Sequence, residues 1–77
     1  MSVKAFILVH IKAGKIVPVI ERLARLDGVK EAYPITGSYD AIVKAEVNDI
    51  KDVHQKMIDK IHQIDGVTDT STHIVLQ

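Results

Sequence analysis

Ile35-Thr36-Gly37-Ser38-Tyr39-Asp40 stands near the middle of the chain, and the sequence on its two sides reads as two versions of one pattern. Leu26-Asp27-Gly28-Val29 precedes it and Ile64-Asp65-Gly66-Val67 follows, at an offset of 38 residues. Each of these stretches closes a helical pattern and opens a strand pattern. A repeat of that length marks one supersecondary unit used twice, and the central stretch joins the two units as a hairpin. The same repeat is expected from the pseudo-symmetry of the resulting fold, so it carries no claim of duplication.

Working outward, Val3 to Lys12 alternates as a strand. Val3, Ala5, Ile7, Val9 and Ile11 take one face; Lys4, Phe6, Leu8, His10 and Lys12 take the other. Ile16, Val19, Ile20, Leu23 and Leu26 then recur at helical spacing and predict a helix over 16–26. Pro18 fits its first turn, where an N–H has no intrahelical partner. Val29 to Thr36 is the second strand. Pro34 cannot donate to a ladder, so this strand belongs at an edge. Gly37-Ser38 reads as a two-residue turn, which makes Tyr39 the first residue of a third strand running to Val47. In that strand Ala41, Val43, Ala45 and Val47 oppose Asp40, Ile42, Lys44 and Glu46. Asn48 or Asp49 caps a second helix, with Ile50, Val53, Met57, Ile58, Ile61 and Ile64 as its stripe. Gly28 and Gly66 end the helices, and Val67 to Leu76 is the last strand.

Two split crossover units of this kind make a ferredoxin-like α+β sandwich, βαββαβ. Right-handed crossovers give an antiparallel sheet in the order four-one-three-two, with both helices on one face. Overlaying the halves matches Val3, Ala5, Ile7 and Val9 with Ala41, Val43, Ala45 and Val47. It also matches Ile20, Leu23 and Leu26 with Ile58, Ile61 and Ile64. These sets are the expected helix-facing core.

A chain of 77 residues is one domain, close to the lower limit for a self-sufficient core. It has no cysteine, which removes disulfides and thiolate metal sites, and its four histidines are scattered. Oligomerisation is the remaining support. The formal net charge is zero, which argues against a surface built for phosphate backbones and against electrostatic docking on a membrane. No secretory signal pattern follows Met1 and no apolar run reaches the length of a span, so the expected compartment is the cytoplasm.

The face without helices presents Phe6, Leu8 and Ile42 near its centre. A patch on adjacent strands marks an interface, in its simplest form a face-to-face two-fold homodimer. In the alternative, Lys4 and Lys44 lie over the patch and shield it. No catalytic constellation is visible. Asp40 and Glu46 are too far apart along a strand for a carboxylate pair. Asp27 and Asp65 read as polar helix ends, and His54 and His62 stand two turns apart and cannot chelate together. His10 and His73 read as solvated or hydrogen-bonded imidazoles, although His10 on the sheet face can also titrate and alter an interface. Phe6 is the only central aromatic available for RNA stacking.

The hairpin itself offers chemistry. Backbone N–H groups at Gly37 and Ser38 form an anion-binding concavity, Thr36 and Ser38 add hydroxyls, Tyr39 adds a flat wall, and Asp40 accepts from an ammonium. Such a set can hold a zwitterion. Thr-Gly-Ser-Tyr-Asp also serves as an ordinary turn.

Asp27-Gly28-Val29, Ile35 to Asp40, Asp65-Gly66-Val67 and Thr70-Ser71-Thr72-His73-Ile74-Val75-Leu76 together resemble the regulatory (RAM) domain of the leucine-responsive/asparagine (Lrp/AsnC) transcription regulators. The similarity covers essentially the whole chain, 1–77. It implies a domain that dimerises through its sheets, assembles further into rings, and binds an amino acid or related small molecule between dimers, without a cofactor. It carries the ligand role to Thr36, Gly37, Ser38, Tyr39 and Asp40, and to Thr70 and Thr72 of the last strand. The family's usual members add an N-terminal helix-turn-helix. Here the strand pattern begins directly after Met1, so the expectation is a stand-alone sensing module with no direct DNA contact. Such a module would act on a helix-turn-helix regulator by mixed assembly, or on an enzyme. Two other readings stand beside it: a small dimeric ferredoxin-like enzyme, by analogy of fold alone, and a ligand-free oligomerisation scaffold.

Overall fold

Along the chain run β1 (Val3–Ile11), a first helix (Ile16–Ala24), β2 (Val29–Pro34), β3 (Ala41–Val47), a second helix and β4 (Val67–Ile74). They belong to a computed structural model that describes residues 2–76. The sheet order is β2-β3-β1-β4, with every neighbouring pair antiparallel. Strands β1 and β3 are central, and Pro34 sits on an edge strand, where its missing N–H costs no ladder bond.

The inward faces of the central strands are fully covered. Ala5, Ile7, Val9 and Ile11 of β1 and Ala41, Val43 and Ala45 of β3 are buried beneath Val19 and Leu23 of the first helix and Val53, Met57 and Ile61 of the second. Ile20, Leu26 and Ile58 pack at the margin of this core. The expected first helix ran to Leu26 but ends at Ala24. The N–H groups of Arg25 and Leu26 bond back only three residues, to Arg22 and Leu23, and this tighter winding closes the helix early.

The second helix departs further from regularity. It begins as an α-helix at Ile50–Asp52, continues as a π-helix at Val53–Ile58 and returns to α at Asp59–His62. The Asp59 N–H reaches back five residues to the His54 carbonyl. Core residues in this helix are spaced by four: Val53, Met57, Ile61. In an α-helix such a row drifts about 40° per step. The wider π turn takes up that drift and keeps all three on the sheet. Ile50, expected in the same stripe, is 62% exposed. It stands beside the Asp49 N-cap, whose side chain accepts from the Lys51 N–H, before the row begins.

The two Asp-Gly-Val turns interlock the halves. A Cβ on Gly66 would lie 2.8 Å from the Lys15 Cβ and 3.0 Å from the Val19 Cγ2 of the first helix. A Cβ on Gly28 would lie 3.2 Å from the Met57 sulfur of the second. Each unit's turn therefore passes beneath the other unit's helix.

The central connection is not the expected two-residue turn. Residues 35–40 form a longer loop closed by the Ile35 N–H donating to the Asp40 carbonyl at 2.9 Å, and β3 starts at Ala41, so Tyr39 lies outside the strand. The reason is that β1 outruns its partner. Pairing with β3 ends at Val9↔Ala41, while β1 continues to Ile11. The Ile11 N–H then needs an acceptor, and the Asp40 Oδ2 supplies one at 2.8 Å. The Asp40 N–H donates to the Val9 carbonyl at 2.9 Å. One residue thus clasps the end of β1 with its backbone and its carboxylate.

Two outcomes follow from these contacts. Gly37→Ala meets only open space and carries the positive-φ strain alone, so it is expected to cost about 1 kcal/mol in urea denaturation. Gly66→Ala adds backbone-near collisions and is expected to cost about 2–3 kcal/mol; equal losses would contradict the interlock. Asp40→Ala should speed hydrogen exchange of the Ile11 amide, with Asp40→Asn intermediate because an amide oxygen still accepts.

Candidate functional site

The strand registers arrange the uncovered sheet face in rows. Glu31, Lys44, Phe6 and His73 lie side by side across the four strands, and Tyr33, Ile42, Leu8 and Ser71 form the next row. Phe6 is 39% exposed and Tyr33 51% exposed; Leu8 and Ile42 are half-buried. Phe6, Glu31, Tyr33, Ile42 and Lys44 line a shallow depression of about 260 Å³. The Tyr33 hydroxyl donates to Glu31, and the Lys44 ammonium stands 3.4 Å from the other Glu31 oxygen. The Tyr33 bond, then Lys44, holds the Glu31 carboxyl below the ordinary carboxylate value. The same bond raises the Tyr33 phenol. Phe6, Leu8 and Ile42 thus share the uncovered face, and Tyr33 joins them there. Tyr33 was missed because assigning it to this face needs the β2–β3 register, which slips between Val29 and Glu31.

The third row is polar and lies at the hairpin end. His10 is the β4-side partner of Asp69, and its ring stacks on Tyr39 with centroids 4.1 Å apart and planes at 26°. The His10 Nδ1 is 3.8 Å from the Asp40 Oδ2. That is too long for a hydrogen bond and is an ion pair only when the imidazole carries a proton. Thr36, Gly37 and Ser38 are exposed at the loop tip, while Tyr39 and Asp40 are half-buried. The Gly37 and Ser38 N–H groups and the Asp40 Oδ1 have no hydrogen-bond partner among the described residues. The structure thus gathers Thr36, Gly37, Ser38, Tyr39 and Asp40 at one place and adds His10, which nothing in the sequence linked to Tyr39.

Thr70 and Thr72 are not part of that cluster within one protomer. They pair with Val9 and Ile7, whose side chains face the helices, so both threonines lie on the opposite side of the sheet from His10. The Thr70 Oγ1 is 3.0 Å from the His62 Nε2, and Thr72 is exposed.

No group of three histidine or carboxylate side chains is placed to hold a metal ion among the described residues. No helix there is long and apolar enough to cross a membrane.

Comparison with known proteins identifies the family. The family described as the Lrp/AsnC ligand binding domain matches residues 4–77. The HTH-type transcriptional regulator FL11 of Pyrococcus horikoshii is 41% identical over 76 residues, covering 99% of this chain and 50% of the relative. The chain spans about half the length of such curated regulators. The crystal structure of FFRP-DM1 superposes with a TM-score of 0.89 at 43% identity, covering 96% of this chain and 99% of that one. A homocitrate synthase of Sulfurisphaera tokodaii is 41% identical over 59 residues, which is 77% of this chain and 13% of the enzyme. On the family match across nearly its whole length, this chain belongs to the Lrp/AsnC ligand binding domain family.

Proposed function

We propose that the domain is an oligomeric amino-acid sensor of the cytoplasm that regulates transcription or metabolism through a partner protein. The observation that carries this reading is the hairpin tip. It combines two unpaired N–H groups suited to a carboxylate, an unpaired Asp40 oxygen suited to an ammonium, and an aromatic wall at Tyr39. A free amino acid presents that pair of charges. In one protomer the exposed tip is only half an enclosure, so a neighbouring copy supplies the other side, and the outward Thr72 with Thr70 beside it is available for that role.

Assembly starts at the uncovered sheet. Pairing two such faces about a two-fold axis buries Phe6, Leu8, Ile42 and Tyr33 together and matches Lys44 and Glu31 with acceptors and donors of the second copy. Dimers then meet through their tips, and a ring of dimers closes the sites. Contact with DNA falls to a partner chain bearing a helix-turn-helix, a reading supported by the family and by the name of FL11. The similarity to part of a homocitrate synthase favours a second kind of partner, an enzyme whose activity the module adjusts.

A thermal-shift screen of the protein amino acids tests the sensor. An amino acid present at a hundredfold excess over its Kd adds about 2.7 kcal/mol, which raises the midpoint by roughly 10–20 °C in a domain of this size; a flat response to all of them refutes sensing. Light scattering tests the assembly. Ile42→Glu is expected to halve the mass of the dimer with an unchanged circular dichroism spectrum, and a variant that keeps its mass would place the interface elsewhere.

A further inference from the structure

We infer that His10 gates the hairpin site by proton uptake, so that an amino acid binds at neutral pH and is released on acidification. This rests on the sensor reading above for the ligand, but the gate itself rests on geometry. Asp40 accepts from the Ile11 N–H with its Oδ2, and its side chain is 37% exposed. His10 stands beside that oxygen, 3.8 Å away, with its ring held flat against Tyr39. The imidazole is therefore close to the carboxylate that receives the ligand's ammonium and forms part of the wall against which the ligand lies.

A neutral imidazole leaves the Asp40 charge available. An imidazolium offsets that charge and places a second cation next to the ammonium, so binding weakens. The groups around His10 all bear on this. Asp40 and Tyr39 face it from the loop, Asp69 stands opposite on β4, and Lys12 follows just past the end of β1. Thr68 holds only the His10 backbone carbonyl, at 3.3 Å. His10 is about 38% exposed on its side chain, so the proton reaches it from solvent without any opening of the fold.

The expected size is that of a partly exposed charge pair, a factor of about two to five in affinity between neutral and acid solution. The sign depends on the ligand's amine. A 2-hydroxy acid, with a carboxylate and no ammonium, should bind no more weakly at the acid end than at the neutral end.

The test has two arms on the full chain. In the first, without ligand, the Ile11 amide resonance is followed through a pH titration by nuclear magnetic resonance. It is expected to shift in step with the His10 ring protons in the native protein and to lose that transition in His10→Gln. An Ile11 amide that does not follow His10, or that keeps the same pH transition in His10→Gln, overturns the gate. In the second arm, the amino acid giving the largest thermal shift is titrated at both ends of the pH range, beside its 2-hydroxy analogue. The amino acid should lose about twofold to fivefold in affinity on acidification in the native protein and hold constant in His10→Gln. Equal losses in the two proteins, or an equal loss for the hydroxy acid, overturn the assignment of the effect to His10 and the ammonium. If the first arm succeeds and no amino acid binds at either pH, the sensor reading falls and the proton-coupled hairpin stands.

Discussion

Two short helices can shield one side of a four-stranded sheet and no more. That constraint shapes the whole domain. The covered side is closed by Ala5, Ile7, Val9, Ala41, Val43 and Ala45, with Val19, Leu23, Met57 and Ile61 packed onto them. Alanines at the strand centres let the helices approach closely, and the glycines at 28 and 66 let each helix sit over the other unit's turn. The opposite side is left with Phe6, Leu8, Ile42 and Tyr33 in contact with water. Apolar surface of that kind is stabilised by burial at about 25 cal/mol per Å², which for a domain this small is a large share of what holds it folded. The shortage of helices that defines the fold is thus also what leaves this apolar face open.

The hairpin end is organised by a mismatch in strand length. β1 extends past Ala41, and an N–H facing an absent partner must find an acceptor. Asp40 provides it. Doing so draws the residue out of the strand, lengthens the connection to residues 35–40 and sets Tyr39 down on His10. That carboxylate completes the β1 edge through one oxygen, so a single residue sets both the end of β1 and the shape of the loop. The same economy is absent from the far end of the sheet, where Asp49 caps a helix and Lys56 stands 4.0 Å from Asp52.

Much of this was legible from residue order. Pro34 placed β2 at an edge, the alternation in Val3–Ile11 and Ala41–Val47 named the buried face, and paired Asp-Gly-Val turns gave the two-unit plan. These readings succeed because each depends on covalent geometry and on a period of two or 3.6 residues, which are local properties. Met57 and Ile61 were found in the same way, while Ile50 was not. It stands beside the Asp49 cap, ahead of the four-residue row from Val53 that the π segment fits to the sheet.

Sequence alone therefore determined the order of elements, the antiparallel topology and the covered face. Tertiary structure decided the rest: the long central loop, the stack of His10 on Tyr39, the company of Tyr33, Glu31 and Lys44 beside Phe6, and the separation of Thr70 and Thr72 from the tip. Each of those depends on register, on which residue of one strand lies opposite which residue of another. Register is set by hydrogen bonds between segments up to tens of residues apart, such as Asp40 with Ile11 across 29 positions. No local period records where such a bond will close.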